Sequence, residues 1–196
     1  MERWFDKKKR ELLSCSIFRV EEVLKESDRG GRGDFYILHA PDWVTVVPLT
    51  VDESGRDCFL MVEQYRHGSG EVTMEFPAGT VDPGEDPRQT AERELREETG
   101  YCAGTLMRIG ALSPNPAFMS NTTYTYVARD LRYKGEQQLD VHESIMIHPI
   151  PVDDLRRSMG TPPYNNAIMV AALALYEGCV EMEGNKRGAD RIRTGE

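Results

Sequence analysis

The chain has 196 residues, a formal net charge of −9, 39% hydrophobic residues and 29% charged residues. This length suits one domain of ordinary size with a substantial core, and the excess of acids argues against a protein that binds a nucleic acid backbone. The strongest basic cluster, residues 7–10, is short and flanked by acids, so we expect it to be solvated and expect no nucleic acid partner.

Cysteine usage and hydropathy indicate the compartment. The four cysteines are scattered and form no C-x-x-C pair, which favours reduced thiols over a disulfide framework or a zinc site. The N-terminus lacks the apolar core of a signal peptide, and the longest apolar run, residues 167–176, is too short to cross a bilayer. We expect a soluble, cytoplasmic protein without a membrane partner.

Strand-like runs separated by turns make up the first part of the chain. Two runs, 15–24 and 34–39, flank the turn-rich sequence SDRGGRGD and predict an N-terminal hairpin. Apolar runs at 44–49 and 58–64 then predict two strands of a larger sheet.

The next segment, GTVDPGEDPRQTAERELREETGY at 79–101, predicts a loop followed by a helix. Asp86 is a suitable N-cap, Pro87 suits the first helical position and Gln89 can complete a capping box. Gly100 is a suitable left-handed stop after the last turn. Between these two signals we expect a helix of 13 residues.

The acids of this helix point to a cation. Glu94, Glu97 and Glu98 stand at i, i+3 and i+4, so a helix places their carboxylates on one face, where like charges repel. A hard divalent cation such as Mg²⁺ prefers carboxylate oxygens and commonly accompanies phosphates. A solvated surface helix is the simpler alternative, but residues 79–101 carry seven acids against three arginines and no lysine. We therefore expect an enzyme acting on a phosphorylated substrate.

The rest of the chain alternates strands and helices. Five segments carry the corresponding periodicity: strands at 106–112, 122–128 and 145–150, and helices at 152–158 and 164–177. Together with the first half of the chain they predict an α/β fold, a mixed sheet flanked by helices. The polar tail from residue 184 is expected to be disordered.

The acidic segment resembles the Nudix box, G-x5-E-x7-R-E-U-x-E-E-x-G-U, in which U is a bulky apolar residue. Its positions are occupied in order by Gly79, Glu85, Arg93, Glu94, Leu95, Glu97, Glu98, Gly100 and Tyr101. Tyr101 is a mild departure, because aliphatic residues are more usual there. The resemblance implies a hydrolase with the Nudix α/β/α sandwich over roughly residues 42–180, preceded by a small N-terminal antiparallel β subdomain.

The preceding segment is similar to one branch of this family. Residues 62–79, VEQYRHGSGEVTMEFPAG, look like the E-Q-Y-R…E-x-P-A-G stretch of ADP-ribose and nucleoside diphosphate sugar pyrophosphatases. The resemblance implies that Arg66 contacts substrate phosphate through charge-assisted bonds, and that Glu75 takes part in substrate or water binding. A surface salt bridge is the ordinary alternative for Arg66.

A segment after the box is also similar to this branch. Residues 113–118, SPNPAF, resemble its S-P-G-F-like segment, and Pro116 lies 16 residues beyond the last glycine of the box, the spacing that marks ADP-sugar pyrophosphatases. Pro116 and Phe118 are thereby implied as substrate-binding residues. Asn115 and Ala117 stand where relatives often have Ser and Gly, so the preferred sugar stays open.

The resemblance also implies a domain organisation. Residues 1–41 would form the N-terminal β subdomain, 42–183 the Nudix domain and 184–196 a flexible tail. In relatives the N-terminal subdomain contacts a second subunit, which implies a homodimer. Relatives stack the nucleobase on N-terminal aromatics, so Trp43 is a candidate for stacking, with a core or interface aromatic as the alternative.

Metal ligands follow from the box position by position. In decreasing order they are Glu94 and Glu98, then Glu97, then the carbonyl of Ala78. The expected ion is Mg²⁺, with Mn²⁺ as the alternative. Arg93 is expected to pair with Glu85 or Glu97 and to orient the carboxylates.

Members of this branch often take the general base from a loop beyond the box. The corresponding segment is 139–145, in which Glu143 best matches the acidic position. Asp140 and His142 compete with it for this role, and Glu97 remains an alternative.

These residues lead to one main hypothesis and two alternatives. The main hypothesis is metal-dependent hydrolysis of ADP-ribose or another nucleoside diphosphate sugar to a nucleoside monophosphate and a sugar phosphate. Within the family, the alternative substrates are nucleoside triphosphates and dinucleoside polyphosphates. From a different class, the alternative is a non-catalytic sensor of nucleotide metabolites, which the intact set of box glutamates disfavours.

Overall fold

The computed structural model describes the backbone of residues 1–194 and the side chains of residues 1–182. The strands are β1 (Trp4–Ser14), β2 (Arg19–Ser27), β3 (Arg32–His39), β4 (Trp43–Val51), β5 (Asp57–Arg66), β6 (Glu71–Glu75), β7 (Ala78–Thr80), β8 (Tyr101–Cys102), β9 (Thr105–Leu112), β10 (Thr123–Arg129), β11 (Arg132–Tyr133) and β12 (Ile145–Pro151). The helices are α1 (Pro87–Thr99), α2 (Val152–Ser158) and α3 (Ala167–Thr194).

The N-terminal strands β1, β2 and β3 form an antiparallel sheet of their own. The predicted hairpin corresponds to β2 and β3, and β1 is an additional strand that the sequence pattern did not indicate. Residues 7–10, expected to be a solvated basic cluster, lie within β1. Two of them pair with acids of β2, Lys7 with Glu26 at 3.4 Å and Arg10 with Glu22 at 2.8 Å. Cross-strand charge pairing therefore replaces the apolar alternation that usually marks a strand.

The central sheet is mixed, with strand order β12-β5-β4-β10-β9, and β6 and β7 pair with β5 and β4 respectively. The β4–β10 pair is parallel, whereas β5 pairs with both β4 and β12 in antiparallel fashion. Strands β8 and β11 form a separate short ribbon. The predicted α/β fold, with a mixed sheet and an N-terminal antiparallel subdomain, is confirmed.

Alternation along β4 builds the two cores of the sandwich. Val44 and Val46 belong to a buried cluster with Ala91 and Leu95 of α1. Val47 belongs to the cluster on the other face, whose buried members come from the sheet and from α2 and α3. Because successive side chains of a strand point to opposite faces, β4 carries α1 on one side and the two C-terminal helices on the other.

Two of the helices begin and end where the sequence predicts, and the third differs. Helix α3 starts at Ala167, three residues later than expected, where the Asn166 side chain accepts the backbone N–H of Ile168 at 2.9 Å, as a helix cap does. The backbone stays helical through residues 184–194 of the expected flexible tail, which are rich in helix-forming types. Residues 195–196 lie outside the described part of the chain. None of the described helices is long and apolar enough to span a membrane.

We expect Leu95→Ala to destabilise the fold, because this fully buried side chain joins α1 to the sheet. Leucine truncation in a core costs about 2–5 kcal/mol, which should appear as a lower urea midpoint with an unchanged m-value. Met146→Ala, at a side chain that is 59% exposed, is the control and should change the unfolding free energy by less than about 0.5 kcal/mol. Equal losses in the two variants would contradict the assignment of this core.

Candidate active site

The caps of α1 fix the orientation of its acidic face. The Asp86 side chain accepts the N–H of Arg88 at 2.8 Å, and Gln89 completes the predicted capping box. At the other end, Gly100 has the left-handed φ of 75° that a C-cap requires. The helix therefore presents its box glutamates toward the loop that precedes it.

Arg93 is the centre of the charge network on this face. Its guanidinium donates to both carboxylate oxygens of Glu85 at 3.2 and 3.1 Å, to Glu94 at 2.8 Å and to Glu97 at 3.0 Å. The hydrogen bonds to Glu85 are the main cause of a raised pKa for Arg93. The predicted pairing with Glu85 or Glu97 thus occurs with both acids at once, and Glu94 joins them.

Glu94 and Glu98 are the acids in the least favourable environment. Glu98 is 4% exposed and accepts the backbone N–H of Ala78 at 3.0 Å. Burial raises the pKa of Glu98 well above its ordinary value, and the neighbouring Glu94 raises it further. Burial also raises the pKa of Glu94 to about 7 against the opposing effect of Arg93. The two carboxylates therefore lack enough positive charge to balance them.

Gly79 allows the chain to approach this pair. A Cβ atom built on Gly79 would lie 2.0 Å from the nearer carboxylate oxygen of Glu94, so any side chain there would displace Glu94. The first glycine of the box is thus required by a close approach and not by an unusual backbone angle. The main chain at Ala78 and Gly79 thereby approaches both the buried Glu98 and the partly buried Glu94.

The acidic cluster suits a divalent cation by its chemistry. The predicted ligands Glu94, Glu97, Glu98 and Ala78 offer hard oxygen donors, which Mg²⁺ prefers. A nearby positive charge would favour the ionised forms of Glu94 and Glu98, whose pKa values are raised mainly by burial. Among the described side chains, no group of three His, Cys, Asp or Glu residues is placed to hold a metal ion. Arg93 bonds Glu94 and Glu97, whereas Glu98 accepts the Ala78 N–H.

Arg66 and Glu75 form a forked ion pair beside this cluster. The guanidinium donates to the two carboxylate oxygens at 3.0 and 2.8 Å, and Thr73 donates to the same carboxylate at 2.7 Å. Burial acts to raise the pKa of Glu75, but the bonds from Arg66, Thr73 and Asn166 outweigh it and lower the pKa. Glu75 is fully buried and Arg66 is not, so the acid fixes the direction of the guanidinium.

A cavity of about 590 Å³ opens next to these groups. Its polar wall includes Arg66, Glu75, Asn166 and the backbone segment 78–80. Its apolar wall includes Ile17, Phe18, Leu38, Pro41, Trp43, Met119, Ile168 and Met169. Trp43 therefore lines the cavity beside the segment that contacts the acids, and its stacking on a nucleobase stays a prediction.

Pro116 and Phe118 lie elsewhere than expected. In the part of the chain that the structure describes, they line a separate hollow of about 560 Å³, together with Trp4, Phe35 and Tyr36 of the N-terminal sheet. Backbone bonding turns this loop toward that sheet, because the N–H of Leu38 donates to the Phe118 carbonyl at 2.8 Å. Within one chain, the implied substrate-binding pair is thus not brought to the cavity.

Glu143 lies in the loop before β12, where its carboxylate accepts the N–H of Asp140 at 3.1 Å. Its negative charge contributes to the raised pKa values of Glu94 and Glu98, which places it in the neighbourhood of the acidic cluster. Asp140 and His142 are exposed in the same loop. The identity of the general base stays a prediction.

Several cavity residues were not anticipated from the sequence. Thr45, Asn166 and Met119 come from β4, from the start of α3 and from the loop before β10, and no local motif joins them. One signal was available, because Thr45 stands two residues after Trp43 and so shares its face of the strand. The other two are brought to the cavity by the fold alone.

Comparison with known proteins gives consistent matches. The family model "NUDIX domain" matches residues 41–169. An ADP-ribose pyrophosphatase of Bacillus subtilis (strain 168) is 34% identical over 136 residues, covering 69% of this chain and 70% of the relative. The ADP compounds hydrolase NudE of Escherichia coli (strain K12) is 28% identical over 170 residues, covering 86% and 88%. A crystal structure of an ADP compounds hydrolase superposes with a TM-score of 0.80 at 26% identity, covering 93% of this chain and 96% of that chain.

The matched regions include the residues of the candidate site. The family model spans the capped acidic helix, the Arg66–Glu75 pair and most of the cavity. The structural match covers nearly the whole chain, so it includes the N-terminal sheet as well as the sandwich. The chain therefore belongs to the Nudix hydrolase family, within the branch of the ADP-ribose and nucleoside diphosphate sugar pyrophosphatases.

Proposed function

We propose that the chain hydrolyses the diphosphate bond of ADP-ribose or of another nucleoside diphosphate sugar, releasing a nucleoside monophosphate and a sugar phosphate. One observation carries this proposal. Ala78 and Gly79, whose backbone contacts Glu98 and Glu94, line the same cavity as Arg66. The relatives named as acting on ADP-ribose and ADP compounds support a substrate of this class.

We infer that Glu94, Glu98, Glu97 and the Ala78 carbonyl hold a divalent cation, Mg²⁺ or Mn²⁺. When bound, such an ion neutralises phosphate charge and lowers the pKa of a coordinated water. Arg93 orients the carboxylates, since it already bonds two of them. Because burial raises the pKa of Glu94 and Glu98, binding the ion would be coupled to the release of their protons.

The remaining steps use this chain's own side chains. Arg66, aligned by Glu75, binds a phosphate oxygen through the guanidinium N–H groups that face the cavity. Glu143 takes the proton of the attacking water, whose oxygen forms a new bond to one phosphorus while the bridging P–O bond breaks. The bridging oxygen leaves with the second phosphate. Trp43 offers a flat apolar surface for the base.

The cavity supports a nucleotide-sized ligand. Its volume of about 590 Å³ lies within the usual range for small-molecule sites.

We further propose that residues 1–41 form a dimerisation subdomain beside the Nudix domain at 42–183. Exposed apolar side chains within residues 1–41 support a homodimer: Phe5, Leu12, Leu13, Ile17 and Tyr36.

A substrate panel tests the function. We expect hydrolysis of ADP-ribose or a related nucleoside diphosphate sugar with Mg²⁺ or Mn²⁺, measured by phosphate release after coupling to a phosphatase that acts only on the monoester products. Nucleoside triphosphates and dinucleoside polyphosphates serve as the competing substrates. Preferred turnover of either competitor would replace the proposed substrate class, and failure of every diphosphate with both ions would favour a sensor.

We expect Glu98→Gln to lower kcat by about a hundredfold or more, because loss of a charged ligand removes several kcal/mol of charge stabilisation. The amide oxygen can still accept the Ala78 N–H, so the melting temperature should not fall. Glu92→Gln is the matched control on the same helix, since Glu92 is exposed and pairs with Arg88. Normal turnover in Glu98→Gln would contradict the assignment of this ligand.

We expect Glu143→Gln to lower kcat by about 10²–10⁴-fold, the usual contribution of a general base. The measurement is steady-state turnover of the best substrate, compared with Asp140→Asn and His142→Gln from the same loop. A loss of less than about fivefold in Glu143→Gln would remove it as the base. A larger loss in one of the other two variants would transfer the role to that residue.

A further inference from the structure

We propose that Gln137 is a positioning residue for the proposed hydrolysis: its side chain holds the loop that carries Glu143 against the C-terminal end of the acidic helix α1. The proposal rests on the proposed function for the role of Glu143. It concerns a residue outside the Nudix box and outside the segment 139–145, in which the sequence placed the candidates for the general base.

The carboxamide of Gln137 joins two distant points of the chain. Its Nε2 group donates to the backbone carbonyl of Glu98 in α1, and also to the backbone carbonyl of Ile145 at 3.3 Å. Ile145 is the first residue of β12. The NH2 end of a carboxamide has two N–H donors, so each carbonyl can receive one of them. The side chain therefore links the end of the helix to the residue at which the loop enters the sheet.

The backbone around Gln137 also packs closely on the end of α1. The N–H of Gln138 donates to the Glu97 carbonyl at 2.9 Å. A Cβ atom built on Gly100 would lie 2.1 Å from the carbonyl oxygen of Gly135. The last carbonyls of a helix have no partner within the helix. The loop supplies donors to two of them, and these belong to the proposed metal ligands Glu97 and Glu98.

Glu143 lies between the two carbonyls that Gln137 bonds. Residues 138–144 connect the helix contact to β12 without helix or strand structure of their own. The N–H of Glu143 donates to the Asp140 carbonyl at 2.9 Å, which forms a turn in the middle of this loop. Because Gln137 fastens both sides of the loop, its loss should let Glu143 shift relative to Glu98. Small displacements of a catalytic group can remove much of its effect on the rate.

The test replaces Gln137 by methionine, which has a similar length and no N–H donor. We expect amide hydrogen exchange of residues 138–145 in the free protein to become about fivefold faster or more, because the loop loses two hydrogen bonds. With the best substrate, kcat should fall about tenfold or more while KM stays within about twofold, since positioning of the base affects the transition state and not substrate binding. Circular dichroism at the assay temperature checks that the variant is folded.

Gln138→Met is the matched control. It makes the same substitution at the next residue, whose side chain is exposed. The backbone bond from Gln138 to Glu97 does not depend on the side chain and stays in place. We expect the exchange rates and kcat of this variant to remain at the wild-type values. Equal effects in the two variants would overturn the assignment of Gln137.

Combination with Glu143→Gln tests whether Gln137 acts through Glu143. If it does, Gln137→Met should change kcat by less than about twofold in the Glu143→Gln background, because the group that it positions has already been removed. The same fold loss in both backgrounds would indicate a general disturbance of the site and would overturn the positioning role. A kcat within twofold of wild type in Gln137→Met alone would overturn it as well.

The exchange measurement separates this proposal from the proposed function, because it needs no substrate. If the wild-type chain hydrolyses no nucleoside diphosphate sugar, the proposed function fails, whereas faster exchange of residues 138–145 in Gln137→Met alone still supports the link between loop and helix. Unchanged exchange in Gln137→Met would overturn that link whatever the activity of the chain.

Discussion

The charge imbalance around Arg93 is the constraint on which the rest of the site depends. One guanidinium bonds Glu85, Glu94 and Glu97, while Glu98 accepts the backbone N–H of Ala78. Burial then raises the pKa of Glu94 and Glu98. An arrangement of this kind is costly for stability alone, because buried charges need compensating partners. The divalent ion of the proposed site would supply the compensating positive charge.

The packing of α1 against β4 holds these acids in place. Leu95 and Ala91 are fully buried against Val44 and Val46, so the acidic face of the helix is held toward β7. Gly79 on β7 provides the space that Glu94 needs. The opposite face of β4 carries the cavity wall, so one strand links the acidic cluster to the surface that would hold the nucleotide.

Local signals were sufficient for some elements and insufficient for others. The bounds of α1 could be predicted because its cap, first-turn proline and terminal glycine all lie within the segment itself. Strand β1 was missed because its stability comes from pairing with β2, including Arg10–Glu22, and not from apolar alternation. Pro116 was assigned by its spacing from the box, but the loop that carries it turns toward the N-terminal sheet.

The sequence by itself determined the reaction class, because the Nudix box is a local pattern: its spacing sets three carboxylates on one helix face and its glycine allows the close approach. The α/β architecture followed from strand and helix periodicity. Only the tertiary structure decided how Arg93 divides its bonds, that Glu75 aligns Arg66, and which side chains line the cavity. These features depend on segments distant in sequence, whose contacts are set by packing across the sheet and not by any spacing along the chain.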